Sequence, residues 1–194
     1  MPRNGFQRWA GALLALFSAL VLAGCGTDAA APAPPPAPAS SAPAPAPAPA
    51  WVNLPSIGAR SSLVQLGLNP DRTVEVPPVG QPLQAGWYKY SPVPGQTGPA
   101  VILGHIDGNH QEGIFWRLHD MKAGDQVVVG GGDGRTRTFT VTKVDQVAKK
   151  TFPTEAVYGD TTDPELRLIT CGGAYDAAHH NYLDNIIVYA KLVT

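Results

Sequence analysis

Apolar and polar positions in the second part of the chain alternate in short runs and do not recur every three or four residues. Between residues 51 and 194, the runs 62–66, 73–76, 100–104, 126–130, 136–147 and 185–193 are rich in Val, Ile, Thr and aromatic residues and predict β-strands. Turn formers separate them: Asn69-Pro70-Asp71, Pro92-Val93-Pro94-Gly95 and Gly130-Gly131-Gly132-Asp133-Gly134, the last joining two strands as a hairpin. Residues 113–121 read as a helix of about two turns, with another short turn at 154–158. Many strands and little helix predict a mostly β fold, closed or nearly closed into a barrel that leaves no sticky edges.

The first fifty residues carry no such alternation. Arg3 and Arg8 precede an apolar run over 11–22 that is short for a membrane span, which predicts an export signal over residues 1–24. The run ends in Leu22-Ala23-Gly24-Cys25, which resembles the lipobox of bacterial lipoproteins. That resemblance makes Cys25 a lipidation site and the first residue of the mature chain; the other reading is a plain secretory signal with Cys25 incidental. Residues 29–50 are almost entirely Ala and Pro. Such a segment builds no core and is expected to be extended, spanning roughly 70 Å at ~3.1 Å per residue, either as a stalk or as a passive linker. The division expected is therefore 1–24 signal, 25–50 lipidated Cys25 and linker, and 51–194 a single globular domain.

Composition removes some classes of function. The formal net charge is −1, which offers no basic surface, so nucleic acid is not an expected partner. Twenty Pro and 21 Gly are too much punctuation for a helical bundle. The histidines have no metal-type spacing, and neither a metal nor a cofactor is expected.

Candidate chemistry centres on Leu166-Arg167-Leu168-Ile169-Thr170-Cys171-Gly172-Gly173, an apolar strand that runs a thiol into what reads as a Gly-Gly turn. Alternation puts Leu166, Leu168 and Thr170 on one face and Arg167, Ile169 and Cys171 on the other. With the leucine face buried, a guanidinium and a sulfur would share the open face. Cys171 then reads either as an inert core residue or as a nucleophile. Only two cysteines are present, and lipidation of Cys25 would leave Cys171 unpaired and oxidisable in an exported protein, which favours the nucleophile. His105 follows a second apolar strand, Pro99-Ala100-Val101-Ile102-Leu103-Gly104, in the same way. Asp107 would orient His105 or cap a turn. Tyr182, Tyr175 and Trp116 would line a groove or pack a core.

The Gly98 to Asp107 stretch, the Leu-Ile-Thr-Cys tail at Cys171 and Asn185-Ile186-Ile187-Val188-Tyr189-Ala190 resemble the sortases of Gram-positive bacteria, most closely the class F enzymes of actinobacteria. Leu54-Pro55-Ser56-Ile57-Gly58, Gly86-Trp87-Tyr88 and Gly124-Asp125-Gln126-Val127-Val128-Val129 add to the likeness. The resemblance implies a closed eight-stranded barrel with one or two short helices, acting as a monomer. It implies a cysteine transpeptidase in which Cys171 attacks a C-terminal sorting signal of a secreted protein and forms a thioacyl enzyme. His105 would move the proton, and an amine acceptor such as a peptidoglycan precursor or pilin lysine would resolve the intermediate. Ile169, Thr170 and Tyr182 become substrate-binding candidates. The family's arginine falls at Asn185, which carries no charge, so Arg167 is taken for the oxyanion or substrate-clamping role with Asn185 as the alternative. Anchoring to the cell membrane would run through the lipid on Cys25. The competing reading is a non-catalytic cell-wall-binding lipoprotein on the same barrel.

Overall fold

A computed structural model describes residues 46–193. The expected signal segment, Cys25 and the linker as far as residue 45 lie outside the described residues. The first strand, β1 (Pro49–Leu54), is not among the expected runs and begins inside the Ala/Pro run, two residues before the domain boundary expected at 51. It is followed by β2 (Ala59–Leu66), β3 (Ala85–Tyr88) and β4 (Gly98–Gly104). A small ribbon of β5 (Asp107–Gly108) and β6 (Gln111–Glu112) comes next. Then come β7 (Gln126–Gly131), β8 (Thr136–Ala148), the short helix α1 (Thr154–Tyr158), β9 (Pro164–Asp176) and β10 (Asn181–Leu192).

Eight strands close a barrel in the order β1-β2-β3-β4-β9-β10-β8-β7, as expected. Closure is made by β1, which pairs antiparallel with both β2 and β7. Parallel pairing occurs between β2 and β3 and between β4 and β9; the other barrel pairs are antiparallel.

Two apolar clusters hold the wall made by β4, β9 and β10. Ala100 and Ile102 on β4, Leu166 and Leu168 on β9, and Ile186, Val188 and Ala190 on β10 point into the barrel, where Phe115 and Phe139 fill the centre. Alternate residues, Val101, Leu103, Ile169, Ile187 and Tyr189, face outward and are covered by Val157 of α1 and Leu66. A strand buried on both faces loses its polar alternation, which is why β4 reads as a continuous apolar run.

Three sequence expectations fail for identifiable reasons. Residues 73–76 form only an isolated bridge between Leu68 and Val74, because Pro77 and Pro78 follow and cannot donate to a ladder. Residues 113–121 are not helical beyond a 3-10 turn at Leu118–Asp120. Their apolar positions Ile114, Phe115, Leu118 and Met121 are indeed buried together. The N–H groups of Gly113, Ile114 and Phe115, however, go to the carbonyls of Ile106, Pro82 and His105. Gly172-Gly173 is not a turn either, since β9 runs on to Asp176.

Leu168 is fully buried within the barrel. Leu168→Ala is expected to cost about 2–5 kcal/mol, read as a lower urea midpoint with an unchanged m-value.

Candidate active site

The last register pair between β4 and β9 is Leu103 with Ile169. Two residues further along each of these parallel strands stand His105 and Cys171, so the imidazole and the thiol leave the wall at the same level. In β9, alternation puts Cys171 on the outward face with Ile169, and His105 is the first residue past the end of β4. Each is half-buried, and Cys171 is in no disulfide among the described residues.

His105 is fixed at backbone and ring. Its carbonyl accepts the Phe115 N–H at 3.0 Å, and a β-carbon on Gly113 would collide with that carbonyl. Its Nε2 lies 2.6 Å from the Pro77 carbonyl. A carbonyl only accepts, so in this contact Nε2 is the donor.

Across β9 and β10, Cys171 is paired directly with Asn185. Residues opposed in this way have β-carbons about 4.5–5.5 Å apart, so the Asn185 amide is within reach of groups bound at the sulfur. Beyond Cys171 the register shifts: Gly172 pairs with Asp184 and Tyr175 with Tyr182, so Gly173 and Ala174 together face Leu183. This is a β-bulge with Gly173 at φ +73°. A glycine serves a bulge of this kind as readily as it serves a turn, which is why the Gly-Gly pair misled the reading of the sequence.

Arg167 does not share an open face with the sulfur. It lies on the same side of β9 but is 3% exposed, because that side is covered as well. Its guanidinium meets the Glu165 carboxylate at 2.7 Å, donates to the Ala156 carbonyl at 3.3 Å and lies 4.7 Å from the Tyr189 ring centre. Four residues of strand, about 13 Å at ~3.3 Å each, separate it from Cys171. Ile169 is packed in the outer cluster. Thr170 faces the barrel interior opposite Ile186, 4% exposed and without a protein partner for its hydroxyl.

Tyr182 is half-buried, and its hydroxyl donates to the Asp107 carboxylate. Asp107 therefore holds Tyr182, and no hydrogen bond joins it to His105. The bond to Asp107 is the first cause pushing the Tyr182 hydroxyl up to about 12, followed by burial and by the charges of Asp107, Tyr175 and Cys171. The Tyr175 ring stands edge-on at 5.1 Å. The tight turn that carries Asp107 was missed in the sequence. Asn109 and His110 both have positive φ, as a two-residue hairpin of type I′ requires. Asn109 was the available signal, and the histidine after it concealed the pattern. Among the described residues no three His, Cys, Asp or Glu side chains gather as a metal site would need.

The domain described as "Sortase domain" matches residues 52–193. Among solved structures, the chain is similar to a lid mutant of sortase A from Corynebacterium diphtheriae, with a TM-score of 0.59 and 23% identity over 78% of this chain and 73% of that one. It is similar to sortase C of Streptococcus pneumoniae, with a TM-score of 0.57 and 20% identity over 75% and 68%. A sortase D5 transpeptidase of Clostridium perfringens gives a TM-score of 0.55 and 17% identity over 76% and 79%. At these identities the likeness is one of fold. No curated protein is matched.

Two outcomes test the geometry. Ultraviolet titration should show one tyrosine ionising at about pH 12 that disappears in Tyr182→Phe. In Asp107→Asn the same tyrosine should ionise nearer the ordinary value of about 10. Because the folded-state value is raised, the stability tied to this hydroxyl is present below pH ~10 and is lost as pH rises toward 12. Gly113→Ala should cost about 1–3 kcal/mol and disturb the His105 ring resonances, since the new methyl group displaces the His105 carbonyl.

Proposed function

The chain belongs to the sortase family, and on that premise we propose that it is an extracytoplasmic cysteine transpeptidase of the class F type. It cleaves a C-terminal sorting signal on secreted proteins and transfers the shortened chain to an amine of the cell wall or of a pilin. Cys171 as thiolate attacks the carbonyl carbon before the scissile bond, the C–N bond breaks, and His105 gives its proton to the leaving amine. A second amine attacks the thioester, loses a proton to His105, and the sulfur leaves as thiolate. The Asn185 side-chain amide donates a neutral hydrogen bond to the developing oxyanion, and Arg167 keeps a structural role under α1.

The observation that carries this reading is the register: His105 and Cys171 stand level on neighbouring parallel strands, and Asn185 lies opposite the sulfur. The class F assignment rests on the motifs around Gly98 to Asp107, Cys171 and Asn185. The protein reaches its site of action through the export signal over residues 1–24, is fastened through lipid on Cys25, and is spaced from the membrane by the linker to residue 50. Tyr182, held by Asp107, contacts the bound sorting signal.

Incubation of the purified protein with a library of sorting-signal peptides and an amine, followed by mass spectrometry, tests the reading. A thioacyl adduct on Cys171 is expected; its absence together with absence of cleavage overturns the proposal. Asn185→Ala should lower kcat/KM about 10²–10³-fold with the fold intact. Arg167→Ala should instead destabilise the protein by about 1–3 kcal/mol, because it empties a buried site and removes the contacts to Glu165, Ala156 and Tyr189, while Glu165 keeps Lys191 at 3.5 Å. Loss of turnover in a well-folded Arg167→Ala, with Asn185→Ala unaffected, would return the oxyanion role to Arg167.

A further inference from the structure

The segment 75–84, which leads into β3, passes over the rim of the barrel as a strap, and its bond to the His105 ring is made by main chain alone. Pro77 is buried, Pro78 is exposed, and the Pro77 carbonyl that joins them lies 2.6 Å from His105 Nε2. We propose that this diproline is the positioning device of the proton-transfer step. Its carbonyl holds the hydrogen of the neutral imidazole on Nε2, so that Nδ1 is the nitrogen that exchanges a proton with substrate. The inference rests on the transpeptidase reading and adds which group orients the histidine and which ring nitrogen works.

Three observations carry it. The distance settles the ring: a carbon in the place of Nε2 would stand off by about 3.3 Å, and a bare nitrogen would set lone pair against lone pair, so an N–H is what fits. The sequence makes the acceptor stiff. The Pro77 ring fixes φ, Pro78 keeps the residue before it out of the helical region, and the amide between them has no N–H to enter a ladder.

The strap and the histidine are also tied to one support. Ile114 donates its N–H to the Pro82 carbonyl at 2.8 Å, and the next residue, Phe115, donates to the His105 carbonyl at 3.0 Å. Within this span the strap rests on β5, where a β-carbon on Gly108 would stand 2.9 Å from the Val79 carbonyl oxygen. Upstream, Glu75 donates its N–H to the Gly67 carbonyl at 3.1 Å and accepts the Gly67 N–H on its carboxylate. Pro77 thus lies between anchored points. Asp107, the carboxylate two residues from His105, is taken by the Tyr182 hydroxyl, and among the described residues Nδ1 has no hydrogen-bond partner.

A ring free to present either nitrogen would spend part of its time with the hydrogen on Nδ1, unable to receive another there. With Nε2–H held by the carbonyl, the protonated Nδ1 gives its proton to the leaving amine as the scissile C–N bond breaks. It takes one back from the acceptor amine as the new C–N bond forms and the C–S bond breaks, and Cys171 is left as thiolate.

Nitrogen-15 spectra of the imidazoles in the full chain test this without turnover. With the ring neutral, the signals that His105→Gln removes should show hydrogen on Nε2 alone. Pro78→Ala loosens the carbonyl from an exposed position and should leave the urea midpoint near that of the unaltered protein. Gly108→Ala, on a different element, pushes the strap off the ribbon. Both should give His105 a mixture of tautomers and lower kcat about tenfold with KM unchanged. A mixed or Nδ1–H ring in the unaltered protein overturns the proposal, as does an Nε2–H ring that persists in both variants. A rise in kcat in either variant also overturns it, since the strap would then be a brake. Should no sorting-signal peptide be turned over, the function above fails, and the tautomer in these proteins still decides the inference.

Discussion

The parallel pairing of β4 with β9 is the constraint on which the site depends. It joins strands separated by a connection that carries the β5–β6 ribbon, β7, β8 and α1, and its register alone brings His105 level with Cys171. The wall is packed on both faces, so the strand ends that bear the two groups have little freedom to drift. Looser elements then supply the surroundings: the segment before β3 holds the imidazole through Pro77, and the bulged hairpin of β9 and β10 brings Tyr182 to Asp107. A rigid wall with chemistry at its rim and adaptable loops around it is a common division of labour in enzymes.

Charge is distributed unexpectedly along this wall. The cation nearest Cys171 in β9 is committed elsewhere: Arg167 lies against Glu165 and stacks on Tyr189, whose ring is also 4.2 Å from the Lys143 ammonium. These contacts pin α1 to the barrel, since Arg167 also donates to the Ala156 carbonyl. Opposite the sulfur stands the neutral Asn185. Its amide can orient an oxygen but cannot balance a full negative charge.

How much of this could be read from the sequence depended on which physical signal each residue carried. β2, β7, β8 and β10 showed themselves by β-branched runs between turn formers, and β4 and β9 by apolar stretches ending in glycine. β3 did not, being four residues long with a glycine inside, and β1 was hidden by the prolines before it. Residues 113–121 have helical spacing of buried side chains, yet their N–H groups are taken by distant carbonyls, which no local pattern records. Arg167 was misjudged because alternation fixes sides and not burial: it was assumed that only the leucine side was covered. The levelling of His105 with Cys171 follows from strands that pair across 66 positions, and the single chain alone suggested it only through their matching contexts. The Tyr182–Asp107 bond and the β5–β6 ribbon had no visible signal beyond Asn109.

Closure by β1 bears on how the molecule comes into being. Val52 and Leu54 are completely buried, yet one of the two strands that flank β1, β7, is made more than seventy residues later. Until that partner emerges, the earliest strand has one free edge and its apolar side chains lack much of their enclosure, a state prone to pairing with other chains. The wall of β4 and β9 waits longer still, because its second strand begins at Pro164. The register that levels His105 with Cys171 therefore cannot form until β9 has been made.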